Sequence, residues 1–188
     1  MNVVKTAIED LVILEPKVFA DARGYFLESH NERVFHAAGI KARFVQDNES
    51  RSSYGVVRGL HFQHGEHAQA KLVRVIEGCV LDVIVDIREG SPTFGRHVTI
   101  ELSVENKRQV FIPRGMAHGF AVLSETVLFS YKCDNFYHKE SEGGIAHDDP
   151  DLGIDWRVPL EKIVLSEKDK TLPRLRDLGG NLKHHKKL

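Results

Sequence analysis

The chain has 188 residues, 41% of them hydrophobic and 28% charged, with a formal net charge of −1. That length suits one well-buried domain and is short for two, and the near-zero charge argues against a dedicated nucleic-acid binder, which carries a strong basic excess. Its two cysteines, Cys79 and Cys133, lie in strand-like sequence, which argues against a disulfide framework and for a reducing compartment.

The first ten residues lack the basic start and long apolar region of a signal peptide, and no apolar run approaches the ~18 residues that span a bilayer. The expected location is the cytoplasm, with no membrane partner. Residues 11–19 read as a strand interrupted at Pro16, and a proline there marks an edge or a strand end. Gly24 then predicts a turn, with alternation resuming after it. Asn31 to Ala38 is the clearest helix candidate: Asn31 can cap it, Val34, Phe35 and Ala38 have helical spacing, and Gly39 can end it.

From residue 43 to residue 133 the pattern is nearly unbroken strand. The predicted runs are 44–48, 56–63, 71–76, 80–87, 98–102, 109–112, 120–123 and 127–133, with turn signals at Glu77-Gly78, Gly90-Ser91-Pro92 and 103–106. That spacing predicts an antiparallel sandwich or barrel rather than alternating strands and helices. The last 30 residues read as a mixed strand, turn and helical extension, about 160–188, packed on the barrel and ending in a flexible basic tail.

Residues 56–74 draw most attention. Strict alternation over 57–63 puts Arg58, Leu60 and Phe62 on one face and Val57, Gly59, His61 and Gln63 on the other. A base, His61, and a cation, Lys71, would then be presented from rigid strands. His64 and His67 fall in the intervening glycine-containing turn and are read as solvated. Pro113-Arg114-Gly115-Met116-Ala117-His118 is a sharp turn entering an apolar strand, and its Pro-x-Gly-x-x-His pattern resembles a cupin motif. Cupins often pair such a histidine with His-x-His to bind a metal, so His61, His64, Glu66 and His67 are candidate ligands. The position two after His61 is Gln63, which breaks that pattern.

The chain further resembles the dTDP-4-dehydrorhamnose 3,5-epimerase family, metal-independent cupin-type sugar-nucleotide epimerases, from about Lys5 to Asp169. The resemblance rests on 19–28, 46–50, 58–63, 71–74, 82–88, 91–95, 112–120, 131–133 and Asp149-Pro150, in the family's order. It implies an all-β, cupin-type jelly-roll barrel with short peripheral helices, a single domain over 1–188, and no metal or other cofactor. It also implies a nucleotide-sugar substrate and a homodimer in which N-terminal strands join the partner's sheet.

Removing a proton beside a ketone needs a base on one face of the sugar, an acid on the other, and a positive or hydrogen-bonding group at the oxyanion. By resemblance the base is His61, held by Asp169, the cation is Lys71 and the acid is Tyr131. Arg23, Arg58 and Lys168 match residues around the phosphates. Glu28, Gln46, Asn48 and Glu142 match polar residues around nucleotide and sugar, His118 lines the sugar pocket, and Phe19 and Phe26 are candidates for packing on the base. Without the resemblance, His61 reads as a structural buried histidine, Tyr131 as a half-buried strand tyrosine, and Ser166 to Asp169 as a helix-start signal.

Two positions depart from the family, and a third carries a charge with no assigned role. Phe136 stands where a second tyrosine is common, which leaves open whether one or two centres are inverted. Arg157 follows Trp156 where proline is usual, and Arg114 adds an unassigned charge near the pocket. A mono-epimerase acting on a related dTDP- or GDP-linked 4-keto sugar therefore stands beside the double epimerase. A sugar-binding or metal-dependent cupin is the alternative from another class.

Overall fold

The computed structural model describes residues 1–179; the expectation for the basic tail concerns residues outside that range. Thirteen strands run in chain order among the described residues: β1 Asn2–Lys5, β2 Val12–Glu15, β3 Val18–Asp21, β4 Gly24–Leu27, β5 Gln46–Ser53, β6 Val57–Gln63, β7 Lys71–Glu77, β8 Cys79–Asp86, β9 His97–Ser103, β10 Gln109–Ile112, β11 Met116–Val122, β12 Thr126–Cys133 and β13 Glu142–Gly144. Two antiparallel sheets hold eleven of them, in the orders β1-β2-β10-β7-β12-β5 and β13-β6-β11-β8-β9. Strands β3 and β4 form a separate two-stranded ribbon. This is the all-β jelly-roll architecture that the strand spacing and the cupin-like turn predict.

The core lies between the sheets. Val73, Val75, Val110, Val127 and Phe129 from the first meet Val80, Ile84, Phe120 and Val122 from the second, and Ile8 and Leu11 pack into the same cluster. A second apolar layer covers the back of the five-stranded sheet, where Leu81, Val83 and Val85 meet Ile145, Leu152, Trp156 and Leu178. Both faces of β8 are therefore buried, which is why it is apolar almost throughout instead of alternating.

The helix α1, Glu32–Ala37, sits where its caps predict. Asn31 Oδ1 accepts hydrogen bonds from the backbone N–H of Arg33 and Val34, and Phe35 packs with Leu14, Ile40 and Leu72 outside the six-stranded sheet. Val34 stays exposed, so helical spacing overstated the buried face. The strand through His118 begins at Met116, earlier than the 120–123 run predicts, because Ala117 and Gly119 are small rather than strand-breaking. The C-terminal segment holds short 3-10 turns at Leu160–Lys162, Asp169–Thr171 and Leu175–Asp177, and among its described residues the one ladder contact is a parallel bridge of Val164 to Val56.

One feature of β6 decides which residues face inward. Paired with β11, His118 lies opposite His61 and Phe120 opposite Arg58, so three steps on β6 match two on β11. The extra residue is a β-bulge at Gly59, whose φ is +120° and whose missing Cβ would lie 2.6 Å from Gly119 Cα. The strict alternation expected for 57–63 is corrected accordingly. Val57, Leu60 and Phe62 pack into the outer layer, while Arg58 and His61 line the same cavity.

Candidate active site

A cavity of about 330 Å³ opens between the sheets, lined by Arg58 and His61 from β6, Lys71 from β7, His118 from β11, Tyr131 from β12 and Ser50 from β5. Ser166, Lys168 and Asp169 of the C-terminal segment close one side. A larger groove of about 820 Å³ runs beside β1 and β2, but two of its arginines are already paired, Arg88 with Asp86 and Arg114 with Asp134. The Arg114 charge in the turn before His118 is thus held by a buried carboxylate.

His61 Nε2 lies 2.6 Å from Asp169 Oδ1, and the carboxylate is almost wholly buried. Burial alone would raise the Asp169 pKa; the hydrogen bond and charge of His61 outweigh it and hold the carboxyl below its usual value. As the ionised acceptor it accepts the hydrogen bond that His61 Nε2–H donates, which leaves Nδ1 as the lone-pair nitrogen. Asp169 N–H also donates to Ser166 Oγ, 3.1 Å, so the local capping signal read in 166–169 is present and delivers the carboxylate to the histidine.

Opposite the β6 wall, Tyr131 points inward from β12. Burial raises the pKa of its phenol and keeps it protonated. Lys71, on the neighbouring strand, has its Nζ 5.8 Å from the Tyr131 ring centroid, and burial lowers its pKa. A buried pair adds to this set: His118 Nε2 is 2.7 Å from Asp82 Oδ1, with Asp82 fully buried and its Oδ2 without a partner. Sequence reasoning named His118 but missed Asp82, since an aspartate inside the apolar β8 run carries no periodic signal; its presence in a fully buried strand is itself the clue.

Lys168 Nζ pairs with Glu142 Oε1 at 2.5 Å, and Tyr137 donates its hydroxyl to Glu142 Oε2 at 3.0 Å. Burial would raise the Glu142 pKa, but these two partners keep it lowered. Phe136 is exposed, and the hydroxyl that meets Glu142 belongs to its neighbour Tyr137. Gln46 and Asn48 occupy the same side of β5 as Ser50; Gln46 Nε2 donates to Asn48 Oδ1, and Asn48 faces Tyr131 across the ladder.

Seven expected residues do not line this cavity: Gln46 and Asn48 share a strand face with Ser50, Glu142 pairs with the lining Lys168, and the other four lie apart from it. Arg23, Phe19 and Phe26 sit on the β3–β4 ribbon and Glu28 just beyond it, all exposed, with Arg23 paired to Asp21. His67 is not the free solvated residue expected of its turn: it stacks on His138 at 3.7 Å, nearly parallel. Among the described residues no group of three or more His, Cys, Asp or Glu is placed to hold a metal ion.

The family model for dTDP-4-dehydrorhamnose 3,5-epimerase matches residues 5–177. The chain belongs to the dTDP-4-dehydrorhamnose 3,5-epimerase family. A relative of that name from Shigella flexneri is 55% identical over 170 residues, covering 90% of this chain and 93% of its own. The crystal structure of the dTDP-4-dehydrorhamnose 3,5-epimerase from Elizabethkingia anophelis superposes with a TM-score of 0.90 at 58% identity, covering 94% of this chain and 97% of that one. The dTDP-6-deoxy-D-glucose-3,5-epimerase from Legionella pneumophila, in complex with dTDP-4-keto-L-rhamnose, gives 0.93 at 49% identity, covering 100% of this chain and 99% of its own. In this dTDP-4-dehydrorhamnose 3,5-epimerase family member, the His61–Asp169 pair and inward-facing Tyr131 lie within the matched region.

Proposed function

We propose that the protein epimerises dTDP-4-dehydro-6-deoxy-D-glucose at carbons 3 and 5, giving dTDP-4-dehydro-L-rhamnose. The observation that carries the mechanism is the placement of His61 and Tyr131 on strands of opposite sheets, both lining one cavity. A sugar between those walls meets a base on one face and an acid on the other, as inversion requires.

His61 Nδ1 takes the proton from the carbon next to the 4-ketone, with Asp169 stabilising the imidazolium that forms. The electron pair moves onto the ketone oxygen, where the Lys71 ammonium stabilises the enolate. Tyr131 delivers a proton to the opposite face, and the cycle closes when the phenolate regains a proton and His61 loses one. The same groups serve both carbon 3 and carbon 5. His118 borders the reacting sugar. Arg58 and Lys168 meet the diphosphate, while Gln46, Asn48 and Glu142 meet nucleotide and sugar.

Arg23, Glu28, Phe19 and Phe26 fit this reading in a homodimer. The β3–β4 ribbon presents Phe19 at 52% and Phe26 at 67% exposure and joins neither sheet of its own chain. An apolar ribbon of this kind suits addition to a second copy, where its arginine and aromatic residues would complete that copy's nucleotide site. The domain is read as single over 1–188. The cytoplasm, where the free thiols of Cys79 and Cys133 would persist, is its proposed location.

The test is incubation of purified protein with dTDP-4-dehydro-6-deoxy-D-glucose, with the product fixed by reduction and its sugar configuration assigned by NMR. Recovery of sugar inverted at both carbons is expected. Recovery of uninverted sugar would overturn the reading, and inversion at carbon 3 or carbon 5 alone would replace it with a mono-epimerase.

A further inference from the structure

The same-face row of β5 is Gln46, Asn48, Ser50 and Ser52, four polar side chains along one wall of the barrel. Three of them are committed within the protein. Gln46 donates to Asn48, Asn48 Nδ2 approaches Cys133 Sγ at 3.8 Å, and Ser52 Oγ accepts from Arg58 Nε at 3.1 Å. Ser50 is the exception: it lines the cavity, yet its Oγ is shielded from solvent and has no hydrogen-bond partner. An unpartnered buried hydroxyl is destabilising, and a valine would suit a β-strand wall at least as well.

Ser50 also lies at a particular point in the row. Ser52, two residues one way, holds Arg58; Asn48, two residues the other way, faces Tyr131. Each step is ~7 Å along a strand, so Ser50 lies between the guanidinium and the phenol. The only side-chain hydrogen bond of Arg58 among the described residues is the one to Ser52 through Nε, which leaves its terminal nitrogens for an anion.

We infer that Ser50 is a further substrate-binding residue, whose hydroxyl donates to an oxygen of the phosphate held by Arg58. A rotation about χ1 between staggered positions turns Oγ from its shielded orientation into the cavity. The phosphate then supplies an acceptor for the hydroxyl, and a hydroxyl donating to an anionic oxygen is stronger than a neutral pair. This inference rests on the nucleotide-sugar reading of the cavity and adds to it a contact that orients the diphosphate.

Ser50→Ala tests it, because removing an unpartnered hydroxyl leaves the unliganded fold intact. Binding of dTDP and of thymidine is measured by calorimetry, turnover is measured with the dTDP-4-keto sugar, and thermal unfolding with and without dTDP. The expected result is about tenfold weaker dTDP binding and a correspondingly raised KM. Thymidine affinity is unchanged, kcat stays within about twofold, and the unliganded midpoint is equal or higher. Unchanged dTDP affinity, or a lowered unliganded midpoint with unchanged affinity, would overturn the Ser50 contact while leaving the epimerase reading standing. Wild-type binding that Ser50→Ala weakens, without turnover by either protein, would support the contact and count against the epimerase.

Discussion

Asp169 Oδ1 and His61 Nε2 are 2.6 Å apart although 108 residues separate them in sequence. The histidine comes from a central strand and the aspartate from a 3-10 turn in the C-terminal segment, so the final third of the chain completes a site begun in the first. An amide in place of the carboxylate keeps the size but not the charge that stabilises the imidazolium. Asp169→Asn should lower kcat by on the order of 10²-fold with little change in KM, measured by steady-state kinetics. A kcat within twofold of wild type would remove Asp169 from the mechanism.

Tyr131 is expected to act after proton removal. Tyr131→Phe removes the acid and leaves His61, Asp169 and Lys71 in place, so isotope exchange at the substrate carbons should continue while net inversion slows. Parallel measurement of solvent exchange and product configuration gives the ratio directly. Equal slowing of both would place Tyr131 in the deprotonation step instead.

The Lys71 ammonium sets an alkaline limit. Burial lowers its pKa from the ordinary lysine value of 10.5, so the cation is lost as pH rises through a pKa below that value. The rate of turnover should therefore fall on an alkaline limb that begins below pH 10.5, and Lys71→Met should abolish the limb together with on the order of 10²-fold or more of kcat. A pH–rate profile of both proteins checks this.

Stability at low pH should depend on Asp86, outside the site. Its burial would raise the carboxyl pKa, but hydrogen bonds from Arg88, Ser91 and Thr93 outweigh that and hold it at about 2. Because the folded value is depressed, the stabilisation is fully present above the unfolded value of 3.8 and is lost as pH falls through about 2. Asp86→Asn should cost about 2 kcal/mol near pH 7, and urea titrations should show the gap between the two proteins closing toward pH 2.

Much of this architecture is legible in sequence because local signals agree with global burial. The helix cap at Asn31 and the hairpin around Gly24 have side-chain or backbone causes confined to a few residues, and the strand runs between 71 and 133 are largely apolar; β5 is read only in part, 44–48 against Gln46–Ser53, because its sequence is polar. Strands β1 and β13 escape notice, being four and three residues long; β1 is exposed throughout. Arg58 was assigned to the wrong face because a bulge shifts the alternation by one residue, and only the pairing of β6 with β11 reveals the extra residue. Ser50 could not be recognised as a site residue either, since its significance lies in a hydroxyl without a partner, a property of the folded cavity.

Proton traffic at the two carbons flanking the ketone gives the most direct test of the account. The protein is incubated with dTDP-4-dehydro-6-deoxy-D-glucose in deuterated water and the sugar followed by proton NMR. Loss of proton signal at both carbon 3 and carbon 5 is predicted, abolished in His61→Ala. Wild-type protein that binds the sugar nucleotide without exchange at either carbon, or a His61→Ala variant that exchanges at the wild-type rate, would contradict it.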